Sequence, residues 1–169
     1  MNAAAVLVSA EGLEHYLHQV IPLSRAMRVR VVGISDERAV LSAPLEPNVN
    51  HLGTVFGGSA CTLATLAAWS LLRSRLQCRL PAASLLLQAS SIDYLRPMSA
   101  EFQAQAELAP GADWALFQRT LERRGRARIG AVAQLLAGDE VAARFNGEFV
   151  ALVEAPARSS SDRVVPLTR

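Results

Sequence analysis

Residues 57–72 read GGSACTLATLAAWSLL, a run whose apolar side chains surround a predicted helix on nearly every side. A helix that is apolar all round must be enclosed by other elements on most of its faces. The remaining segments supply mainly strands with one apolar face each. We therefore expect an α+β fold in which a curved antiparallel sheet wraps around one long central helix that ends near Leu76. The apolar positions of this helix are Ala60, Leu63, Ala64, Leu66, Ala67, Ala68, Trp69, Leu71 and Leu72.

Strand patterns lie on both sides of the central helix. Residues 101–109 alternate strictly between apolar and polar, which is typical of a strand with one buried face. Gly125 and Gly138-Asp139 mark turns between later runs. A wrapped sheet keeps open edges, so we expect a homodimer, with a homotetramer built as a dimer of dimers left open. The predicted strands are 27–34, 39–45, 83–94, 101–109, 114–123, 127–136 and 140–153.

A short amphipathic helix precedes the first strand. Ser9 is placed to cap it, and Pro22 lies just beyond its end. His15 and His18 lie off the apolar stripe, and without a third ligand nearby they are interpreted as solvent-facing rather than metal-binding. The stripe consists of Leu13, Leu17, Val20 and Ile21.

Composition and charge narrow the class of protein. The 169 residues suit one domain, which we place at residues 10–154, followed by a disordered polar tail at 155–169. The uncharged run 55–72 is rich in Ala, Ser, Thr and Gly, which favours a buried helix over a membrane span. The net charge of +2 comes from scattered arginines and does not predict a nucleic-acid surface. Two cysteines without a CxxC pair, and no evident signal peptide, predict a cytoplasmic protein.

The segment NVNHLGTVFGGS, residues 48–59, is where chemistry is expected. It offers a helix N-terminus with two adjacent glycines, whose backbone N–H groups a ligand can approach and whose partial positive charge suits an oxyanion. Asn50 and His51 precede the glycines and are candidates to orient a water or hold a carbonyl. Gly57 and Gly58 could instead serve only a tight turn, but the polar flanks and the apolar helix behind them favour a site.

These residues carry a resemblance to a known family. Residues 50–69, with TVFGGS at 54–59 and LATLA at 63–67, resemble the thioesterase domain family of the hot-dog superfamily, which in some members follows an acetyltransferase domain. A second segment, IDYLRP at 92–97, is similar to the strand-to-loop sequence after the central helix in hot-dog thioesterases. The resemblance covers roughly residues 13–153.

The resemblance implies a dimer with two active sites at the subunit interface, where the pantetheine arm of coenzyme A or of an acyl carrier enters, and no cofactor. Asn50 matches the asparagine that many of these enzymes keep before the glycine turn. Gly57 matches the glycine whose N–H polarises the thioester carbonyl. This chain departs from the pattern at Phe56, where a histidine is frequent, and at Thr65, where a helix carboxylate acts as base or nucleophile.

Other residues are candidates to replace the missing carboxylate. Thr65 could position a water, while the general base is left open between His51 and a group from the partner subunit. Asp93 is interpreted as structural, in a pair with Arg96, and Cys61 as a small buried thiol. Candidate substrate-binding residues are Phe56, Ser59, Asp93 and Arg96.

Several arginines are candidates to bind the phosphates of coenzyme A. Either Arg96 or the group Arg123, Arg124 and Arg126 could bind the phosphates, although a solvated hairpin tip is the alternative interpretation of that group. Three functions remain open. The first is an acyl-thioester hydrolase, the second a non-catalytic acyl-thioester binding module, and the third a hydratase or dehydratase on the same fold.

Overall fold

Four α-helices and six strands occur in the described part of the computed structural model, which covers residues 9–77 and 79–153. The expected tail at 155–169, and Cys78, lie outside the described residues. In chain order the elements are α1 Ala10–Val20, α2 Pro22–Ala26, β1 Arg30–Ile34, β2 Ala39–Ala43, a 3₁₀ turn Glu46–Asn48, α3 Gly57–Gln77, β3 Ser84–Tyr94, β4 Phe102–Leu108, α4 Trp114–Arg124, β5 Arg126–Ala137 and β6 Glu140–Leu152.

The six strands form one antiparallel sheet in the order β1-β2-β4-β5-β6-β3. The inner face carries small and aromatic side chains, such as Ala104, Ala133 and Phe145, and all three are buried. Alanine on a strand lets the helix approach closely, and the phenylalanines fill the remaining space. The expectation of an antiparallel sheet wrapped around one long central helix, preceded by an N-terminal helix, is confirmed.

Helix α3 is the centre of the core. Nearly all of the apolar positions expected to be enclosed are buried, and Leu63, Leu71 and Leu72 have no exposed surface. A narrow half-buried stripe remains on one side at helical spacing, with Cys61, Thr65 and Trp69 on it. The stripe therefore marks the one side of the helix that a single copy of the fold leaves partly open.

Helix α1 packs on the sheet through Leu13 and Leu17, which are fully buried. Ser9 caps it as expected, because its hydroxyl oxygen accepts a 3.1 Å hydrogen bond from the Gly12 N–H. Val20 is 49% exposed and does not continue the stripe. The interpretation of His18 as solvent-facing is wrong, since the residue is half-buried and its Nε2 lies 2.9 Å from the Val29 carbonyl oxygen.

The strand predicted at 114–123 is wrong, because this segment is helix α4. The Asp113 carboxylate accepts a 2.9 Å hydrogen bond from the Leu116 N–H as an N-cap, and Gly125 ends the helix in a left-handed conformation with φ 67°. Phe117 and Leu121, four residues apart, are the buried face. The hairpin-tip interpretation of residues 123–126 falls with it, since Arg123 and Arg124 lie in the last turn of a helix.

Strand β3 lies at one edge of the sheet and pairs only with β6 among the described strands. Most of its eleven residues are exposed, including Leu86 at 53%.

Within the described residues, no helix is long and apolar enough to cross a membrane.

Candidate functional site

The loop before α3 is folded around the side chain of Asn50. Its Nδ2 donates to the Thr54 hydroxyl at 2.9 Å and to the Val55 carbonyl at 3.4 Å. Its Oδ1 accepts from the N–H groups of Leu52 at 2.8 Å and Thr54 at 3.2 Å. Asn50 thus braces the loop that delivers the glycines, and its polar atoms already have protein partners.

A second asparagine, Asn48, holds the start of α3 in place. It is buried, and its Nδ2 donates to the carbonyls of Met27 at 3.0 Å and Pro44 at 2.8 Å. The main-chain carbonyl of Asn48 accepts a 2.7 Å hydrogen bond from the Phe56 N–H. The start of α3 is therefore tied to the first hairpin. The sequence offered no signal for this role beyond an asparagine next to Pro47.

The glycine pair forms the first turn of α3. N–H groups in the first turn of a helix have no intrahelical carbonyl to bind, so those of Gly57 and Gly58 remain available to a ligand, and the helix dipole adds positive charge there. Gly57 is half-buried and Gly58 is exposed. The ring of Phe56 covers Gly58 so closely that a Cβ there would lie 2.3 Å from the ring. Ser59 follows, half-buried.

Tyr94, at the end of β3, lies directly against the first turn. Its hydroxyl donates a 2.7 Å hydrogen bond to the Gly57 carbonyl, and a Cβ on Gly57 would meet its ring at 3.3 Å. Burial raises the pKa of the Tyr94 phenol, and the nearby Cys61 raises it further. A phenol is protonated near neutral pH in any case, so this hydroxyl acts as a hydrogen-bond donor. Tyr94 lies in the IDYLRP motif at 92–97, but the motif alone gives no signal that its hydroxyl reaches the glycine turn.

An open cleft of about 410 Å³ begins at this turn. Val55 forms part of its wall and is held there by a 2.8 Å hydrogen bond from its N–H to the Met98 carbonyl. The lining is mainly apolar, with one cation at its rim. Its residues are Val55, Gly57, Ala60, Tyr94, Leu95, Arg96, Pro97 and Met98.

The expected pair of Asp93 and Arg96 is wrong. Arg96 instead forms an exposed ion pair with Glu140, from the start of β6. Asp93 lies in register with Arg144 and lines a groove on the outer face of the sheet, away from the glycine turn. Of the two, only Arg96 lies at the cleft.

The remaining candidates are not brought together within one copy of the chain. His51 lies in the exposed turn before the glycines. Thr65 is half-buried on the open stripe of α3, eight residues beyond Gly57 and hence about 12 Å along the helix axis. Cys61 is half-buried beside Tyr94 rather than fully buried. Within one copy of the chain, Thr65 therefore does not lie beside Gly57.

The arginines of β5 lie far from this cleft. Arg128 donates from Nε to the Gln88 side-chain oxygen at 2.6 Å and lies 3.5 Å from Glu148. Arg126 is paired in the sheet with Leu152, which also pairs with Ser84 at the opposite end of β3 from Tyr94. The length of β3 separates the two ends by about 30 Å. Within one copy of the chain these arginines do not reach the glycine turn.

The fold and the site define the class of protein, a hot-dog protein of the thioesterase type. A structure of OLEI01261, a protein of unknown function from Chlorobaculum tepidum TLS, is 25% identical with a TM-score of 0.79 and covers 90% of this chain and 100% of that chain. A thioesterase structure from Shewanella oneidensis, described as "putative", is 27% identical with a TM-score of 0.73 and covers 86% of this chain and 97% of that chain.

A third structure supports the fold alone. PA5026 from Pseudomonas aeruginosa, described as a "probable thioesterase", is 19% identical with a TM-score of 0.75 and covers 86% of this chain and 97% of that chain. The model of the family described as "Putative thioesterase (yiiD_Cterm)" matches residues 10–153. The chain belongs to this family.

Proposed function

We propose that this protein is a cytoplasmic acyl-thioester hydrolase that acts on acyl-coenzyme A or an acyl carrier, with its active site at the N-terminus of α3 in a homodimer. One observation carries the proposal: Gly57, whose first-turn N–H has no intrahelical acceptor, lines a mainly apolar cleft of about 410 Å³. An apolar cleft with a few converging polar groups is what an acyl chain with one reactive carbonyl requires.

The chemistry follows from that geometry. The thioester carbonyl oxygen accepts hydrogen bonds from the N–H groups of Gly57 and Gly58, and the helix dipole stabilises the negative charge that develops on it. Water attacks the carbonyl carbon and loses a proton to a base. The tetrahedral intermediate then collapses, the carbon–sulfur bond breaks, and the thiolate leaves and takes up a proton. The products are a carboxylic acid and a free thiol.

Substrate binding divides along the cleft. Val55, Ala60 and Met98 offer apolar surface to the acyl part and the thioester. Arg96 stands at the rim, where it is exposed and, among the described residues, forms an ion pair with the exposed Glu140. An exposed ion pair of this kind is weak, so a phosphate can replace the carboxylate at low cost. Arg96 is thus the preferred residue for a phosphate of coenzyme A or of the phosphopantetheine arm.

The dimer follows from the edge of the sheet. Strand β3 has eleven residues and, among the described residues, no neighbouring strand on one side, and it exposes Leu86 and Leu87. Such an edge pairs readily with a second copy. Antiparallel pairing of two β3 strands sets the two α3 helices side by side in opposite directions. The middle of one helix, with its Thr65, then faces the glycine turn of the other.

This arrangement gives the hydroxyl of Thr65 a role across the interface. The hydroxyl orients the attacking water but does not ionise near neutral pH, so another group must accept the proton. His51, in the turn before the glycines, carries an imidazole, the side chain most often used as a general base near neutral pH. A group from the partner subunit is the other candidate for the base.

The test is thiol release from a panel of acyl-coenzyme A thioesters, short, long and aromatic, followed with a thiol-reactive dye. Wild type is compared with Gly57→Pro and Gly57→Ala. Both variants add a Cβ against Tyr94, but only proline removes the N–H, and proline is well tolerated at the first helical position. We expect Gly57→Pro to lower turnover by about 100-fold relative to Gly57→Ala. Equal turnover in the two variants would exclude Gly57 as the oxyanion donor.

A non-catalytic acyl-thioester binding module is the alternative function. One observation favours it: Gly57–Gln77 contains no Asp or Glu, so α3 supplies no carboxylate base. Binding of hexanoyl-coenzyme A, measured by calorimetry, without release of thiol from any member of the panel, would establish this alternative and end the hydrolase proposal.

A further inference from the structure

The Tyr94 hydroxyl and the Gly57 carbonyl connect the edge strand to the turn that holds the proposed oxyanion donors. The 2.7 Å hydrogen bond joins residues 37 positions apart in sequence. We propose that Tyr94 is a positioning residue that fixes and polarises the peptide group between Gly57 and Gly58, and so sets the strength and direction of the Gly58 N–H as a donor to the substrate. This inference rests on the function proposed above.

The physical link is the peptide group itself. The carbonyl of Gly57 and the N–H of Gly58 belong to one planar, resonance-stabilised unit. A donor on the carbonyl oxygen draws electron density from the nitrogen and makes its N–H a stronger donor, as in any chain of hydrogen bonds. The carbonyl oxygen has two lone pairs, so the Tyr94 bond can coexist with the intrahelical bond from the fourth residue on.

The packing of the ring makes the bond directional. The Tyr94 ring lies where a Cβ on Gly57 would be 3.3 Å away, so the absence of a side chain lets the ring approach the backbone this closely. Its hydroxyl carries a proton near neutral pH and donates it to the Gly57 carbonyl at 2.7 Å. Tyr94 also lines the cleft, so the same residue bounds the space in which a thioester would lie.

A neighbouring bond of the same kind serves as a control. The Thr62 hydroxyl donates a 2.9 Å hydrogen bond to the carbonyl of Gly58. That bond acts on the next peptide, whose N–H belongs to Ser59. Removing it should therefore leave the Gly58 N–H nearly unchanged. Thr62→Val and Tyr94→Phe are matched, because each removes one hydroxyl that donates to a carbonyl in the first turn of α3.

The first test is a ¹H–¹⁵N amide spectrum of wild type, Tyr94→Phe and Thr62→Val. Tyr94→Phe keeps the aromatic ring, so its ring-current effect is retained while the hydroxyl is lost. We expect the Gly58 resonance to move upfield in ¹⁵N in Tyr94→Phe and the Ser59 resonance to be the one displaced in Thr62→Val. A Gly58 resonance that stays in place in Tyr94→Phe overturns the inference, whether or not the protein hydrolyses a thioester.

The second test uses the thioester that wild type hydrolyses fastest. We expect Tyr94→Phe to lower kcat by about tenfold with KM changed less than about twofold, because a weakened oxyanion donor acts on the transition state rather than on binding. An unchanged kcat in an active background overturns the inference and leaves the proposed function intact. If wild type hydrolyses nothing in the panel, the proposed function fails, and the amide spectrum alone decides whether Tyr94 holds this peptide.

Discussion

The indole N–H of Trp69 donates a 3.0 Å hydrogen bond to the carbonyl oxygen of Leu85, so the middle of α3 holds the beginning of β3. Tyr94 connects the other end of the same strand to the first turn of α3. Arg73 adds two bonds, to the carbonyls of Ala83 and Pro81, just before the strand begins. Strand β3, which has one neighbouring strand among the described residues, is thus held at both ends by a single helix. Thr65, on the half-buried stripe, lies between Trp69 and the first turn of α3.

The Trp69 bond gives a prediction about stability. Trp69→Phe keeps an aromatic ring, which can still lie against Tyr16, but it removes the indole donor. We expect the free energy of unfolding to fall by about 1 kcal/mol, the usual contribution of a single hydrogen bond. Urea unfolding followed by circular dichroism measures this loss.

Trp114→Phe is the matched control. The Trp114 indole N–H has no hydrogen-bond acceptor among the described residues, and its ring contacts Phe117 and lies 4.4 Å below the Arg75 guanidinium. A phenyl ring keeps a face for that cation, so we expect a smaller loss than in Trp69→Phe. Equal losses in the two variants would mean that the bond to Leu85 contributes nothing.

Asn50 gives a second prediction about stability, with a consequence for activity. Asn50→Ala removes a side chain that makes four hydrogen bonds within one loop, and we expect a loss of about 2 kcal/mol. Turnover should fall as well, because the loop delivers Gly57 to its position. Asn146→Ala, on the exposed outer face of β6, should change stability by less than about 0.5 kcal/mol. A stable Asn50→Ala protein that has lost turnover would instead indicate direct contact with substrate.

The sequence predicts much of this architecture, for identifiable physical reasons. Helix α3 is readable because an all-round apolar helix has few alternatives, and β4 because its alternation is strict. Helix α4 is difficult to predict because four of its five apolar residues are consecutive, at 114–117, and show no helical spacing, although the Asp113 cap and Gly125 are present in the sequence. The glycine turn could be found locally. The Tyr94 bond could not, since it depends on a tertiary distance between residues 57 and 94.

The raised pKa of Tyr94 gives a prediction about pH dependence. In the unfolded chain the phenol titrates near its ordinary value of 10.0, whereas burial raises the folded pKa above that value. The unfolded state then releases its proton first, so the stability contributed by this group is fully present below pH 10.0 and is lost as pH rises through the folded pKa. The stability advantage of wild type over Tyr94→Phe should therefore decrease as the pH rises from 10.0 through the folded pKa of Tyr94.

Urea unfolding of both proteins from about pH 8 to about pH 11 measures this advantage. The phenylalanine variant has the same ring and the same remaining titratable groups, so the difference isolates the phenol. An advantage that is constant, or that grows, across this range contradicts the expected direction of the shift.

The position of Thr65 gives a prediction about the composition of the site. Thr65 lies about 12 Å along α3 from Gly57, too far to act on the same bound carbonyl within one subunit. If the site combines Gly57 of one subunit with Thr65 of the partner subunit, the two residues can be separated genetically. Thr65→Val keeps the side-chain shape and removes the hydroxyl, and we expect it to lower turnover by about tenfold. Thr120→Val, the same change on α4, should leave turnover unchanged.

Heterodimers purified through two different tags then distinguish the two arrangements. A Gly57→Pro subunit paired with a Thr65→Val subunit retains one intact composite site, so we expect about half of the wild-type turnover. A wild-type subunit paired with a subunit that carries both substitutions has no intact composite site and should be nearly inactive. A site contained within one subunit gives the reverse result in both heterodimers. The pair of measurements therefore decides between a shared and a single-subunit site, because each arrangement predicts activity where the other predicts its loss.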